Sequence, residues 1–529
     1  MAVDGTPVTI LYREDSGAAP RTVTALPGET LAAALVRAGI PVALRCGGHG
    51  RCGSCRVRLV AGRWRLPEGE TELRAPGIVA AACRAFPLAG AAPGEVEALP
   101  GIAGILVERR FTPSWRPEEA LRGSVAAVDL GTTTLAGVLI ADGEAAAAAG
   151  IANAQIRFGD NVIDRIAAAE AGRGDELRRA LLAESLDPLL AELVAAAGRT
   201  PARIVLAGNT AMSCFAAGID AASLGRAPYD APATVFPQFR AAELGLRAVA
   251  PETPVEVVPG AGSFIGGDTV AGLFAAGFAA GETDPAALPA LFVDLGTNCE
   301  TVLLLPDRAI AASAAAGPAF ERRGTLAGTG AVIHLDLSPG GNFRLETAGD
   351  APPSGLCGSA WLDLLVLLRR LGVIDEQGLF VPGERERRRW CAEREGLPGC
   401  RIATGITAIE ADLAELITAK AAVAAAIGTL LDAAGVAPGA LKLAVLAGGF
   451  ALGSRPESLR GVGLLPLPDP VPLRAVGNAC LAGAARLAAL GLPMSALDGL
   501  RRRIEVVNLA ETPEFRRRYI DALTLPGAL

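Results

Sequence analysis

The sequence predicts a multidomain α/β protein: a small cysteine-bearing β-grasp module, a linker, and two similar α/β lobes. Three observations carry this expectation. The chain has 529 residues, too many for one hydrophobic core. Residues 45–55, RCGGHGRCGSC, place three cysteines and four glycines on one loop. A strand–turn–strand pattern around Asp-Leu-Gly-Thr occurs twice, at 125–140 and 290–305.

The composition is globular, with 51% hydrophobic and 20% charged residues. A net charge of −7 with both signs interspersed argues against nucleic acid as a partner. No run of about 18 apolar residues escapes Gly, Pro or charge, so no membrane span is expected. The N-terminus, MAVDGTPVTILYRED, lacks the basic and apolar regions of a signal peptide. A cytoplasmic location is the expectation. Lys420 and Lys442 are the only lysines, and neither follows a glycine, which excludes a Walker-type phosphate loop. His49 and His334 are the only histidines, too few for most catalytic zinc centres.

The N-terminal module reads in order. PVTILYRE alternates like an edge strand, GETLAAALVRAG reads as a capped helix, and CRVRLVAGRW as a strand. Between the helix and that strand, Cys46, Cys52 and Cys55 form C-x5-C-x2-C, and Cys83 follows after 27 intervening residues. The plant-type [2Fe–2S] pattern is C-x4-C-x2-C with a distant fourth Cys, so the first gap here holds one extra residue. Four thiolates must converge on two irons. A glycine-rich loop lets three of them wrap the cluster and turns backbone N–H groups toward the sulfurs. A zinc ribbon would pair two C-x2-C knuckles, and only one is present. A Rieske centre needs two histidine ligands, and His49 stands alone in this region, so it reads as a loop residue. The module is a ferredoxin-like β-grasp over 1–92, with metal ligands Cys46, Cys52, Cys55 and Cys83. Cys214, Cys299, Cys357, Cys391, Cys400 and Cys480 read as packed thiols. Residues 93–122, rich in Pro, Gly and Ala, read as a linker.

The rest reads as a first lobe over 123–288 and a second over 289–529 with a C-terminal extension. VAAVDLGTTTLAGVLI returns as ALFVDLGTNCETVLLL, RIVLAGNTAM as LAVLAGGFAL, and GGDTVAGLF loosely as GNACLAGAA. Three elements repeated in one order imply duplication. In the turns, Gly131 and Gly296 admit a phosphate close to the backbone. Thr132, Thr133, Thr297 and Asn298 follow them and complete the phosphate clamps, with N–H and O–H donors from the threonines. Asp129 and Asp294, at the strand ends, can hold Mg²⁺ directly or through water. Gly448 and Gly449 of AGGF leave room for adenosine.

VDLGTTT, VDLGTNCE and AGGF together resemble the acetate and sugar kinase/Hsp70/actin superfamily, which implies RNase H-like lobes that bind ATP and Mg²⁺. With the cluster loop added, the whole chain resembles the reductive activators of corrinoid-dependent enzymes. NAQIRFGDNVIDRI (153–166), AGNTAM (207–212), FIGGDTVAG (264–272), AGPAFE (316–321), GLCGSAWLD (355–363) and ITAKAA (417–422) extend the resemblance over nearly the full length. Some relatives carry a further cysteine-rich cluster region at the C-terminus. Here the last cysteine is Cys480, so one [2Fe–2S] centre is expected.

The resemblance implies the activity. Such a protein would return the Co(II) corrinoid of a corrinoid protein or corrinoid-dependent methyltransferase to Co(I) by ATP-dependent one-electron transfer, fed by an upstream electron donor. A homodimer is left open. Asp268 and Glu300 are candidates to orient water or metal, with a structural carboxylate as the alternative for each. Lys420, on one helical stretch with Glu415, either contacts the nucleotide or lies on a solvated face. Two rival functions remain: a redox-regulated small-molecule kinase of the same superfamily, and a non-catalytic ferredoxin-type electron carrier.

Overall fold

A computed structural model of the chain describes residues 7–13, 19–38, 40, 42, 55–74, 77–90, 92–98, 111, 113–159, 161–279, 283–296, 298–316, 330–383, 390–394 and 396–526. Cys46, His49, Cys52, Thr297 and most of AGPAFE lie outside the described residues. The chain forms two units, Met1–Gly104 with Asn153–Ala180, and Ile105–Ala152 with Leu181–Leu529.

The first unit holds β1 (Val8–Arg13), β2 (Arg21–Ala25), α1 (Leu31–Arg37), β3 (Arg56–Leu66), β4 (Gly69–Leu73), β5 (Ile78–Ala81), β6 (Phe86–Leu88) and β7 (Gly94–Ala98). The sheet order is β2-β1-β7-β3-β4, with β5 and β6 also paired to β3. Thr30 caps α1 by accepting the N–H of Ala33 at 3.2 Å. Leu31 and Leu35 of that helix pack with Ile10, Leu59 and Trp64, all fully buried.

β7 corrects the expected end of this module at residue 92. Its strand runs parallel to β1 and antiparallel to β3, and Val96 is buried. The Pro, Gly and Ala around it hid a short Glu-Val-Glu-Ala alternation. Asn153–Ala180, expected within the first lobe, groups with this unit. It carries α2 (Val162–Ala168) and most of α3 (Gly174–Leu181). Arg165 is fully buried there, donating from Nε to the Gly159 carbonyl and from Nη1 to Gln155 Oε1.

The second unit begins its first half with β8 (Ser124–Leu130), β9 (Thr134–Ala141) and β10 (Glu144–Ala152). There follow α4 (Asp187–Ala197), β11 (Ile204–Ala207), α5 (Thr210–Ala217), β12 (Phe239–Arg240), β13 (Pro254–Val257) and α6 (Gly267–Ala275). The second half opens with β14 (Ala290–Leu295), β15 (Cys299–Leu304) and β16 (Ala309–Ala314). An insertion adds β17 (Ala331–Leu337), β18 (Phe343–Thr347), β19 (Gly355–Leu356), α7 (Gly358–Arg370), β20 (Cys391–Arg394), β21 (Leu397–Ala403) and β22 (Ile406–Ile409). The half is completed by α8 (Glu410–Ala434), β23 (Leu443–Ala447), α9 (Gly449–Leu452), α10 (Pro456–Gly461), β24 (Leu473–Ala475), α11 (Ala479–Ala489), α12 (Asp498–Arg501), β25 (Ile504–Val506) and α13 (Pro513–Asp521).

The two large sheets run β10-β9-β8-β11-β13-β12 and β24-β23-β14-β15-β16-β25. In each half the first strand pairs antiparallel with the second and parallel with a later one, β8 with β11 and β14 with β23, and a further parallel strand, β13 or β24, lies beyond. This is the duplicated RNase H-like architecture that the repeat predicts. One core joins both sheets. At its centre α6 packs on α11, the matching helix of the other half. Glycine permits the approach: a Cβ at Gly483 would collide with the Ala271 carbonyl. The second half of the expected linker is not free. Trp115 is buried in this core, donating from Nε1 to the Gly143 carbonyl at 3.1 Å, and the Leu121 N–H bonds the Ala489 carbonyl. Among the described residues, α8 alone is long and apolar enough to cross a membrane, and most of it is buried in the fold.

Candidate functional site

In the first unit Cys55 sits at the start of β3 and Cys83 in the turn after β5, both buried. The Ala82 N–H donates to the Cys55 carbonyl at 2.8 Å, which holds that turn against the strand. The two Sγ atoms are 3.2 Å apart and are not joined in a disulfide. Two thiols from distant stretches thus converge in an apolar pocket, which fits an iron–sulfur centre. Cys46 and Cys52, expected to complete the ligand set, lie outside the described residues.

The second unit brings Asp129, Asp268, Asp294 and Glu300 into one electrostatic cluster. β8 ends at the first turn and β14 at the second. Asp129 Oδ2 accepts from Asn478 Nδ2 at 2.8 Å, and its Oδ1 accepts from the Cys480 thiol at 3.2 Å. Asn478 also caps α11 by accepting the Leu481 N–H. A carboxylate of the first half is thereby tied to a helix start of the second. Burial raises the Asp129 carboxyl above its ordinary range, against those two hydrogen bonds. Burial, with the charges of Asp129 and Asp268, pushes the Cys480 thiol well up, so it stays protonated and donates.

Asp268 lies in the first turn of α6, its backbone N–H bonded to the Gly208 carbonyl. Burial pushes its carboxyl up to about 6, with the Asp129 charge adding to the rise. Glu300 is directly opposite Asp294 in the β14–β15 register, which puts two carboxylates on one face of the sheet. Burial first, then Asp268 and Asp294, raise Glu300 well above the usual carboxylate range, while Ser313 donates to its Oε1 at 2.9 Å. Such a cluster calls for a cation. Among the described residues no three such groups stand close enough to ligate one metal together. Mg²⁺ takes one or two carboxylates and draws its other ligands from water and phosphate.

Thr132 of the first turn is buried and receives Asn209 Nδ2 at 3.1 Å. A Cβ at Gly131 would collide with the Thr134 carbonyl, so the turn needs glycine. Thr133, Gly296 and Asn298 are half-exposed at the turns, and the Gly296 N–H bonds the Asn298 carbonyl. Gly448 has a φ of +97° and lies over the second turn, where a Cβ would stand 2.5 Å from the Leu295 carbonyl oxygen. A Cβ on Gly449 would meet nothing within 4 Å. The pair divides the work: Gly448 makes the turn, and Gly449 borders open space of the kind a nucleoside needs.

Lys420 is placed elsewhere. It is buried in α8, and its Nζ donates to the Thr524 carbonyl at 2.6 Å. It lines a cavity of about 650 Å³ with Arg460, the 465–469 loop and residues of the C-terminal segment, none of them a turn residue. Burial pushes its pKa down to about 8. Asn209, Asn478 and Cys480 were not picked out by the sequence as site residues. The internal repeat held the signal for two of them, since GNAC aligns with GGDT and so puts Cys480 opposite Thr269.

Comparison with known proteins adds a family to this geometry. Residues 14–88 match the 2Fe-2S iron-sulfur cluster binding domain, 125–280 the RACo middle region, and 289–528 the C-terminal domain of RACo, described as the ASKHA domain. The corrinoid activation enzyme RamQ of Eubacterium limosum is 30% identical over 292 residues, covering 52% of this chain and 46% of that protein. The chain thus matches about half the length of that curated relative. The solved structure of a reductive activator for corrinoid, iron-sulfur protein superposes with a TM-score of 0.70 at 24% identity, covering 99% of both chains, and shares the fold. The cofactors of these domains are a [2Fe–2S] cluster and ATP with Mg²⁺.

Proposed function

We propose that this chain, which belongs to the family of reductive activators of corrinoid proteins, uses ATP to return an inactive Co(II) corrinoid to Co(I). The observation that carries this reading is the pairing of a convergent thiol site with a two-half carboxylate cleft in one chain. A cluster alone is a carrier and a cleft alone is a kinase or ATPase. Together they suit an uphill electron transfer. Each ~59 mV of unfavourable potential costs a factor of ten for a one-electron step, and nucleotide binding or hydrolysis can offset that cost by biasing a conformational equilibrium.

The cluster, when bound, supplies single electrons. Cys55 and Cys83, with Cys46 and Cys52, hold it. In the cleft, Asp294 and Glu300 attract Mg²⁺, the turns at Asp129–Thr133 and 294–298 clamp phosphate, and the space beside Gly449 receives adenosine. Of the two carboxylates that could orient water, Asp268 is the better candidate. With its pKa at about 6 it is largely ionised at neutral pH, whereas burial and the neighbouring carboxylates raise Glu300 well above the usual carboxylate range. Asn478 and Cys480 hold Asp129 across the halves, so a nucleotide that draws on Asp129 also acts on the closure of the cleft. The partner is a corrinoid protein or corrinoid-dependent methyltransferase, an upstream donor refills the cluster, and the setting is the cytoplasm.

The test is an anaerobic absorbance spectrum of a candidate corrinoid protein with reductant, this chain and ATP, each omitted in turn. Co(I) is expected only in the complete mixture. Failure across candidate partners, together with phosphate transfer to a small metabolite, would replace this reading with the kinase.

A further inference from the structure

Two of the thiols that read as packed in the sequence face each other. In the sheet β20-β21-β22, Cys391 and Cys400 are register partners of the antiparallel β20–β21 pair. The Arg401 N–H donates to the Trp390 carbonyl at 2.6 Å, so the neighbouring pair 390–401 is the hydrogen-bonded one. Pairs alternate along an antiparallel ladder, which makes Cys391–Cys400 a non-hydrogen-bonded pair with Cα atoms roughly 4.5 Å apart. A disulfide accepts Cα separations of about 4.4–6.8 Å. Side chains of directly opposed residues share a face, so both sulfurs lie on one side of the sheet. Neither is in a disulfide in this structure.

We propose that Cys391 and Cys400 form a dithiol site that closes reversibly to a cross-strand disulfide, with a small-molecule disulfide such as glutathione disulfide as oxidant. This inference stands apart from the proposed function. The two thiols differ in access. Cys391 is half-buried, and Cys400 is fully buried among Trp390, Ile402 and Ala408. Burial, with Cys391 and Asp412 adding, pushes the Cys400 thiol far up, so it is inert toward reagents in solution. Order follows from access. The Cys391 sulfur attacks the small disulfide, which releases one small thiol carrying the Cys391 proton and leaves a mixed disulfide. The Cys400 sulfur then attacks the Cys391 sulfur, and the second small thiol leaves with the Cys400 proton. Two cysteines lose two electrons, and one small disulfide becomes two thiols.

The position gives the bond a mechanical role. β21 pairs with β22, which ends at Ile409, one residue before α8 begins. α8 packs on β15 and β16, the strands that carry Glu300 and Ser313. A staple across β20 and β21 stiffens the sheet from which that helix springs.

The experiment treats the full chain anaerobically with glutathione disulfide, alkylates it, digests it and maps the peptides. A cross-linked peptide pair holding Cys391 and Cys400 is expected, lost on adding dithiothreitol, with a higher thermal midpoint in the oxidised form. The Cys391→Ser variant, altered at a half-buried position, should give no cross-link, while Cys357→Ser should give the wild-type one. Cys391 found only as the glutathione adduct, with Cys400 alkylated once the chain is unfolded, would overturn the proposal.

Discussion

At the first Asp-Leu-Gly-Thr turn, Asp129 receives the amide of Asn478 and the thiol of Cys480. At the second, Asp294 faces another carboxylate, Glu300, across two paired strands. The two turns share the sequence Asp-Leu-Gly-Thr and the same place in the same strand order, yet their hydrogen-bond partners differ. The first turn receives donors of the other half, although the charge of Asp129 also reaches Asp268. The second concentrates like charge, which is unfavourable for opposed residues, so it is where a cation is wanted. Duplication supplies two equivalent turns, and divergence of the residues facing them gives each a separate task.

The largest effect should come from removing the charge at the second turn. Asp294→Asn should lower Mg²⁺-dependent ATP hydrolysis on the order of 100-fold and leave the fold intact, as circular dichroism would show. Loss of the tie at the first turn should cost less. Cys480→Ala takes one hydrogen bond from a buried carboxylate, worth about 1.5–3 kcal/mol. It should weaken nucleotide binding, by titration calorimetry, more than Cys214→Ala does. Equal effects at the two cysteines would mean that the Cys480 contact is only packing.

The cluster as a whole should also respond to pH. Asp268, its pKa raised to about 6, lies above the ordinary carboxylate value of about 3.9. The metal-free folded chain therefore holds this proton more tightly than the unfolded chain does. The resulting stability is fully present below the unfolded pKa and is lost as pH rises through about 6. Glu300, also raised, acts in the same direction. Mg²⁺ offsets the repulsion, so its increment in thermal midpoint should grow from roughly pH 5 to about pH 7.5. A flat increment would contradict a cation held by these raised carboxyls.

The two turns were legible in the sequence; the difference between their neighbours was not. The repeat showed both turns because a strand, an Asp-Leu-Gly-Thr turn and a second strand form a local pattern. The ties to Asn478 and Cys480 cross more than 340 positions of sequence, where no local pattern reaches. β7 was missed because four residues of alternation stood among Pro, Gly and Ala, and Trp115 because a linker composition surrounded one anchoring aromatic. Lys420 drew notice as one of two lysines, but a rare residue type says nothing about direction, and its amine turns to Thr524.

The smallest effect concerns that lysine. Lys420→Met removes the donor from the Thr524 carbonyl, a loss of about 1 kcal/mol, and should leave ATP affinity unchanged. The folded pKa, lowered to about 8 from 10.5, means that the lysine's contribution to stability is present above the unfolded pKa and lost as pH falls through about 8. The variant should therefore compare worse with the wild type at about pH 9 than at about pH 7. A lost ATP affinity would return Lys420 to the nucleotide.

The central claim is that the thiol site and the carboxylate cleft act jointly on one electron transfer. It is tested most directly by Co(I) yield in a corrinoid partner, measured anaerobically with ATP for three full-length proteins: wild type, Cys55→Ala and Asp294→Asn. The account predicts Co(I) from wild type alone, with ATP binding kept by Cys55→Ala and the reducible cluster spectrum kept by Asp294→Asn. A wild-type yield of Co(I) from Asp294→Asn, or from wild type without ATP, would contradict it.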